Sequence, residues 1–180
     1  MSKTLIERIR NHDQRAMSEL YQKYVGRLSS VCYRYVPAES DAKDVLQNSF
    51  VKIFKAMDTF DYRNEPSLEG YMVRVVVNEA LHFLQSRKRL LFVDLQEATF
   101  LQTDEEEPEM KRISADELHQ LVSELPAGCR TVLNLYVFED YSHKKIAELL
   151  GIKETTSCSQ LYHAKWLLKR KMMELMNKRR

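Results

Sequence analysis

The sequence is poor in the residues that build catalytic loops and metal sites. Its 180 residues include four glycines, and none of them falls in a phosphate-binding pattern such as G-x-x-x-x-G-K-[ST] or G-x-G-x-x-G. The five histidines show no spacing typical of metal ligands, so we predict no metal site and no cofactor. Because nucleophile motifs such as G-x-S-x-G are also missing, we predict a protein that is not an enzyme.

Cysteine and long apolar runs are scarce as well. Cys32, Cys129 and Cys158 are odd in number, far apart and never spaced C-x-x-C, which is typical of small buried residues and not of disulfides or zinc ligands. No run of about 18 uncharged apolar residues is present to insert in a membrane. The first eight residues include three charged side chains where a signal peptide needs an apolar run. We therefore expect a soluble, cytoplasmic protein with no membrane insertion.

Charge is unevenly distributed along a chain whose net charge is only +2. Residues 1–93 carry 15 Lys and Arg against 11 Asp and Glu, residues 94–125 carry 2 against 10, and residues 126–180 carry 11 against 5. Two basic blocks joined by an acidic segment indicate two domains that face nucleic acid, although an acidic run is also typical of an ordinary solvated linker. We predict domains over 1–93 and 113–180, joined by an acidic flexible linker over 94–112.

Apolar side chains recur every three or four residues, which predicts an all-α fold of two small helical domains: an N-terminal helical bundle and a C-terminal helix-turn-helix domain. Asp13 is expected to cap the first long helix, and Glu39 or Ser40 to open the second. A third helix is expected from about Ser67 to Leu91. The positions expected on the apolar sides of the first two helices are Met17, Leu20, Tyr21, Tyr24, Leu28, Val31, Tyr35, Ala42, Val45, Leu46, Ser49, Phe50, Ile53, Phe54 and Met57.

The C-terminal domain contains the most specific local pattern. Ser114 and Glu117 match a capping box at the start of a short helix. Ser142 is expected to cap the first helix of the helix-turn-helix, and Gly151 to supply the sharp turn that follows it, because glycine adopts left-handed backbone without steric cost. The second helix is expected to begin near Glu154 or Thr155. In such a unit the early residues of the second helix reach base edges in the major groove of DNA.

The predicted DNA contacts lie on this second helix and just before it. The residues expected at base edges are Thr155, Thr156, Ser159, Gln160 and His163, of which the glutamine is suited to adenine. The residues expected at phosphates, which position the protein without reading sequence, are Lys153, Lys165, Lys169 and Arg170. The alternative is a helical hairpin that binds protein, with lysines that only increase solubility.

Two parts of the chain resemble conserved regions of bacterial sigma factors. The segment DAKDVLQNSF, residues 41–50, resembles their second conserved region, which binds the clamp helices of RNA polymerase. Leu125-Pro126, RTVLNL at 130–135 and KIAELLGI at 145–152 resemble their fourth region. The order of the two regions and the short connector between them resemble the extracytoplasmic-function group. The resemblance implies a factor that binds core RNA polymerase and directs promoter-specific transcription initiation, with no covalent chemistry of its own.

The resemblance also implies roles for particular residues. Those implied to face the polymerase clamp are Asp44, Gln47, Asn48, Phe50 and Val51. Helical spacing supports this independently, because positions 44, 47 and 51 share one stripe. Those implied to open the −10 element and hold its strand are Tyr62, Arg63, Asn64, Tyr71, Arg74, Asn78, Arg87, Lys88 and Arg89. Position 71 usually holds tryptophan in this family and position 82 commonly holds aspartate, whereas this chain has tyrosine and histidine.

The implied partners are core RNA polymerase, double-stranded promoter DNA, the melted non-template strand and an anti-sigma factor. Cys158 stands where the family frequently has lysine, and His163 and Lys165 stand where it often has arginine. Fewer fixed cations mean fewer phosphate contacts, so the helix-turn-helix alone is expected to bind the −35 element weakly. Two alternatives remain open: a helix-turn-helix regulator that acts without polymerase, and a helical adaptor that binds only protein. The stripe at positions 44 to 51 favours the sigma interpretation, because an independent regulator does not need it.

Overall fold

The computed structural model describes residues 3–87, 90, 92 and 113–179, and every regular element in these residues is an α-helix. The predicted all-α fold is confirmed. The chain divides into two compact units, Met1–Arg87 and Lys88–Arg180. The helices are α1 (Lys3–Arg10), α2 (Gln14–Tyr35), α3 (Glu39–Ala56) and α4 (Glu65–Ser86) in the first unit, and α5 (Ala115–Ser123), α6 (Ala127–Val137), α7 (His143–Leu150) and α8 (Glu154–Asn177) in the second.

The first unit packs α2, α3 and α4 against one another, with α1 on α2. Asp13 caps α2 as predicted, because its Oδ1 accepts hydrogen bonds from the backbone N–H groups of Arg15 at 2.9 Å and Ala16 at 3.2 Å. Most of the apolar positions predicted from spacing are buried. Met17 and Phe54 are half-buried, and Tyr21 is 44% exposed and lies outside the core.

Two features of this unit differ from the sequence prediction. α1 was not anticipated, since eight residues are too few for a stable isolated helix; it forms because Leu5, Ile6 and Ile9 are buried. α4 ends at Ser86 and not at Leu91. The apolar pattern continues past this end and no glycine or proline marks it, so the sequence carries no local stop signal.

The second unit contains the predicted helix-turn-helix. The capping box of Ser114 with Glu117 is present at α5, and Ser142 Oγ accepts the N–H of Lys145 at 3.2 Å at α7. Gly151 follows α7 in the left-handed conformation, with φ +67°. The N–H of Ile152 then bonds to the carbonyl of Ala147 at 3.1 Å, which closes the turn and aims the chain into α8.

A buried arginine joins α5 to α6. Arg130 is 7% exposed, and its Nη1 donates to the carbonyl of Ser123 at 2.9 Å and to that of Leu125 at 2.7 Å. These carbonyls lie at the end of α5, where no further turn of helix is available to pair them. The guanidinium therefore fixes the chain reversal on which the second unit is built.

Among the residues that the structure describes, no helix is long and apolar enough to span a lipid bilayer.

Candidate nucleic-acid and protein interfaces

An open groove of about 560 Å³ runs between α2 and α3 in the first unit. Its walls are largely apolar and aromatic, with a lysine and a glutamine among them. The lining residues are Tyr21, Val25, Ser29, Tyr33, Lys43, Leu46, Gln47, Phe50, Val51 and Phe54. A concave apolar strip with polar groups at its edges is suited to the apolar face of a partner helix.

The residues predicted to face polymerase divide into three kinds here. Gln47 and Val51 are exposed and line the groove, and Val51 is 46% exposed. Asp44 and Asn48 are exposed on α3 but do not line it. Phe50 is only 5% exposed, with its ring 4.6 Å from that of Tyr21. Phe50 therefore lies in the floor of the groove, and its contact with polymerase stays a prediction.

The α2 wall of the groove was missed by the sequence analysis. Tyr21, Val25, Ser29 and Tyr33 repeat every fourth residue and form a second stripe beside the fully buried one. The signal was present in the sequence, because α2 has more apolar positions than a single core-facing stripe requires. Tyr21 was assigned to the core when it belongs to this second stripe.

The residues predicted for the −10 element lie along α4 and in the loop before it. Arg74 and Asn78 are exposed, one turn apart on the same face of α4. Tyr71 is half-buried, with its ring 5.0 Å from that of Phe60 in the loop. Arg87 lies over the ring of Phe83, 5.4 Å from its centroid. Two further predicted contacts, Lys88 and Arg89, lie outside the described residues.

The loop between α3 and α4 is held by its own polar groups. Arg63 Nε bonds to Asp61 at 3.2 Å, and Tyr62 is half-buried. The Oδ1 of Asn64 accepts the N–H of Ser67 at 2.9 Å and so caps α4, which leaves the amide nitrogen of this residue available to a base.

Behind this loop, Glu65 is bound by two residues of α2. It pairs with Lys23, and the hydroxyl of Tyr24 donates to it at 3.0 Å. The Lys23 ammonium, with the tyrosine hydroxyl, holds the pKa of the Glu65 carboxyl below its usual range. Glu65 is the first residue of α4, so these bonds fix where the loop ends.

The outward side of the recognition helix α8 carries fewer base-reading groups than predicted. Lys153, Thr155 and Lys165 are exposed and Thr156 is half-buried. Ser159 is half-buried, and its hydroxyl donates to the carbonyl of Thr155 at 2.6 Å, so it offers DNA only an acceptor.

Gln160 is not on this side. It is 2% exposed, and its Oε1 accepts a hydrogen bond from Cys129 Sγ of α6 at 3.0 Å. Leu161 and Ala164, which follow it on α8, are buried too. The prediction that Gln160 reads adenine is corrected: α6 packs on this face of α8, and the amide satisfies a buried thiol.

A polar contact missed by the sequence analysis joins the two helices of the helix-turn-helix. His143 Nδ1 lies 2.9 Å from the hydroxyl of Ser157, which is fully buried on α8. The ring of His143 also stacks on Tyr136 of α6, with centroids 4.8 Å apart. Together with the bond to Gln160, this contact fixes the rotation of α8 about its axis. It therefore decides which residues of α8 face outward.

Farther along α8, the rings of Trp166 contact two other residues that were predicted to bind DNA. His163 stacks on it with centroids 5.7 Å apart, and the guanidinium of Arg170 lies 4.9 Å from its centroid. Burial and then the nearby Arg170 lower the pKa of His163, so the imidazole is neutral at pH 7. Arg170 also lies 3.6 Å from Glu174, and Lys169 is half-buried. The neutral imidazole of His163 therefore adds no positive charge to this part of α8, and the guanidinium of Arg170 is shared with Trp166 and Glu174.

Comparison with known proteins matches both units. Residues 20–90 match the family Sigma-70 region 2, and residues 115–168 match Sigma-70, region 4. The solved structure of CnrH in complex with the cytosolic domain of CnrY has 18% sequence identity and a TM-score of 0.47, covering 95% of this chain and 96% of that one.

The RNA polymerase sigma-H factor of Pseudomonas aeruginosa is 28% identical over 184 residues, covering 96% of this chain and 94% of its own. The ECF RNA polymerase sigma-E factor of Haemophilus influenzae is 28% identical over 187 residues, covering 96% and 95%. The two family matches, in this order along the chain, indicate a sigma factor. The relatives, which align along nearly the whole chain, indicate the same family. The chain belongs to the extracytoplasmic-function group of RNA polymerase sigma factors, which serve promoter-specific initiation of transcription by RNA polymerase.

Proposed function

We propose that this sigma factor docks on core RNA polymerase through the groove between α2 and α3, holds the melted −10 non-template strand along α4, and reads the −35 element with α8. In this scheme, residues 1–93 form the polymerase-binding and −10 domain, and residues 113–180 form the −35 domain. The acidic linker, 94–112, occupies a basic channel of polymerase until RNA displaces it. The polypeptide itself performs no bond chemistry.

The groove is the observation that carries the proposal. It places an exposed aliphatic side chain, Val51, beside the exposed amide of Gln47 on a largely apolar concave strip. Isolated monomers rarely keep such strips uncovered, and an amphipathic helix in a groove is a common way to cover them. Membership of the sigma family supplies the partner, which is core polymerase.

The −10 role is supported by a row of groups suited to single-stranded DNA. Arg74 offers charge for the backbone, Asn78 offers hydrogen bonds, and Tyr71 offers an aromatic ring at the edge of the loop. Bases that leave the duplex stack on aromatic rings and are read along their exposed edges. Arg87 extends the positive charge to the end of α4.

The −35 role rests on the first turns of α8. Thr155 and Thr156 lie where a recognition helix reaches base edges, with Lys153 and Lys165 suited to phosphates. Hydroxyl groups discriminate bases less than a bidentate amide does. We therefore propose that −35 binding is weak in the free protein and becomes effective only when polymerase tethers this domain close to DNA.

Core binding is tested with two variants in the groove and one control on α2. Val51→Asp buries a charge in the interface, and Gln47→Ala removes an amide at its edge; Gln22→Ala removes an exposed amide that does not line the groove. We expect Val51→Asp to weaken core association by on the order of tenfold or more, since about 1 kcal/mol of aliphatic burial is lost before the desolvation cost of the charge is added. Gln47→Ala should weaken it less, and Gln22→Ala should leave it unchanged.

Titration of fluorescently labelled sigma factor with purified core polymerase measures these affinities. Equal affinity of Val51→Asp and the parent would remove the groove from the polymerase interface. In vitro transcription from a genomic promoter library with the same components tests the wider proposal, and a lack of promoter-specific transcripts would contradict it.

We also propose that an anti-sigma factor inhibits the protein by covering the same groove. The uncovered apolar strip offers a competitor the same binding area that it offers polymerase. To check this, proteins that bind the parent are selected, and their affinity for the parent is compared with that for Val51→Asp. Competition with core polymerase for the parent is then measured. An inhibitor that binds both equally and does not compete with core would contradict it.

A further inference from the structure

We infer that Arg10 is a positioning residue that holds the loop between α3 and α4 in the conformation that receives a −10 base. This inference rests on the proposed −10 function of that loop. Arg10 lies on α1, ahead of the residues that match the sigma region 2 family, and none of the sequence patterns above gave it a role.

The guanidinium of Arg10 joins two points of the loop. Its Nε donates to the carbonyl of Met57 at 3.0 Å, and its Nη2 donates to the carbonyl of Phe60 at 2.7 Å. Met57 is the C-cap residue that follows α3, so its carbonyl has no partner within the helix and forms part of the negative end of the helix dipole. The flat, forked guanidinium reaches both carbonyls at once, which a lysine ammonium on its flexible stem does less well.

The arginine is itself held on a rigid support. Ile6 and Ile9 of α1 are each 1% exposed, so the helix that carries Arg10 is packed into the first unit. The turn after α1 is closed by the N–H of His12, which bonds to the carbonyl of Ile9 at 2.9 Å, and by Arg8, whose Nε bonds to Asp13 at 2.8 Å. A donor fixed in this way can hold the loop and does not simply follow its motion.

Other contacts also fix the loop, both at Phe60 and at its α4 end. The ring of Phe60 packs against Tyr71 of α4, and Asn64 and Glu65 are bonded to α4 and α2 as described above. Only Asp61, Tyr62 and Arg63 remain between the two held ends. A segment this short, fixed at both ends, loses little conformational entropy when it receives a flipped base, and Arg10 supplies one of the two ends.

Arg10 acts on DNA through the loop and not by contact, which separates its role from that of a phosphate-binding residue. A lysine can still bind phosphate as a point charge, whereas a bridge between two carbonyls depends on the forked shape of the guanidinium. Arg10→Gln removes both the charge and the bridge, and Arg10→Lys keeps the charge but weakens the bridge. Arg15→Gln removes one exposed charge near the start of α2 and is the matched control.

The experiment uses the full chain assembled with core polymerase and a labelled single-stranded oligonucleotide that carries the −10 sequence of a promoter it transcribes. We expect Arg10→Gln to bind the oligonucleotide about tenfold more weakly than the parent, because the loop loses two charge-assisted hydrogen bonds, one part-buried and one exposed, that order it before the strand binds. Arg10→Lys should fall between them, while Arg15→Gln should stay within about twofold, as a single screened surface charge predicts. Core affinity should be unchanged in all three, because α1 does not line the groove.

A second measurement reports the conformational stability of the loop directly. Amide hydrogen exchange of residues 58–63 in the free protein should be faster in Arg10→Gln than in the parent and in Arg15→Gln. The inference is overturned if amide exchange of the loop is unchanged in Arg10→Gln. It is overturned equally if Arg10→Gln and Arg15→Gln lose the same strand affinity, or if Arg10→Gln loses core affinity in parallel with strand affinity. If the parent holoenzyme itself fails to bind the strand while loop exchange still responds to Arg10, the −10 proposal fails and the structural role of Arg10 stands.

Discussion

Replacement of Arg130 by methionine should destabilise the second unit without changing its surface. The substitution keeps most of the buried aliphatic volume but removes two hydrogen bonds, at 2.9 and 2.7 Å, from a charged donor to the carbonyls of Ser123 and Leu125. Such bonds contribute about 1.5–3 kcal/mol each. Part of this is offset because a buried charge, whose pKa burial already lowers, is no longer desolvated. We expect a net loss of about 2–4 kcal/mol.

The sequence provides a convenient probe for this measurement. Its single tryptophan, Trp166, lies on α8, so tryptophan fluorescence of the full chain reports unfolding of the second unit. For a domain of this size the loss corresponds to a midpoint lower by roughly 10–25 °C. Lys144→Met, at an exposed site on α7, is the control and should change stability by no more than about 0.5 kcal/mol. An Arg130→Met midpoint within the range of the control would refute the structural role given to the guanidinium.

Two further predictions concern α8 and the thiols. Gln160→Leu should leave the −35 base preference of the holoenzyme unchanged, because this side chain faces α6, whereas Thr155→Ala should alter that preference. Binding-site selection with each holoenzyme measures the base preference. A changed preference in Gln160→Leu would contradict the burial of this side chain. Cys158 is exposed and should react with a maleimide in the native protein at neutral pH, but Cys32 and Cys129 should react only on unfolding. Burial raises their pKa to about 12 and about 11, so almost none of the reactive thiolate is present; mass spectrometry after timed labelling checks this, and equal rates for all three would contradict it.

The features that the sequence predicted best depend on short stretches of chain. Asp13, Ser114 and Ser142 act on backbone N–H groups two or three residues away, and Gly151 acts through its own φ angle. Such signals need no knowledge of the rest of the fold. The assignment of Val45, Leu46, Ile53 and Met57 to the core also depends on spacing within one helix, and all four are buried.

The features that sequence reasoning missed depend on which helix packs against which. Gln160 has the residue type and the position of a base-reading residue. It lies in the interior because α6 packs against its side of α8, where Cys129 donates a hydrogen bond to it. Tyr21 was assigned to the core because spacing does not say that α2 has a second, uncovered stripe. The bond between Arg10 and Phe60 spans 50 residues of sequence, and no local pattern anticipates it.

The inward orientation of Gln160 and Ser157 has a consequence for promoter selection. With these side chains buried and the hydroxyl of Ser159 bonded to its own helix, the groups that we propose to contact DNA at the outward start of α8 are Thr155, Thr156 and the flanking lysines. Few phosphate contacts give weak binding with a shallow dependence on salt. In the proposed scheme the loop between α3 and α4 is likewise short, so we expect it to read few bases. Two weak readers still select a promoter sharply when polymerase binds them together, because the second then binds at a high effective concentration. A groove variant that loses core should therefore lose −35 occupancy as well, although α8 is untouched.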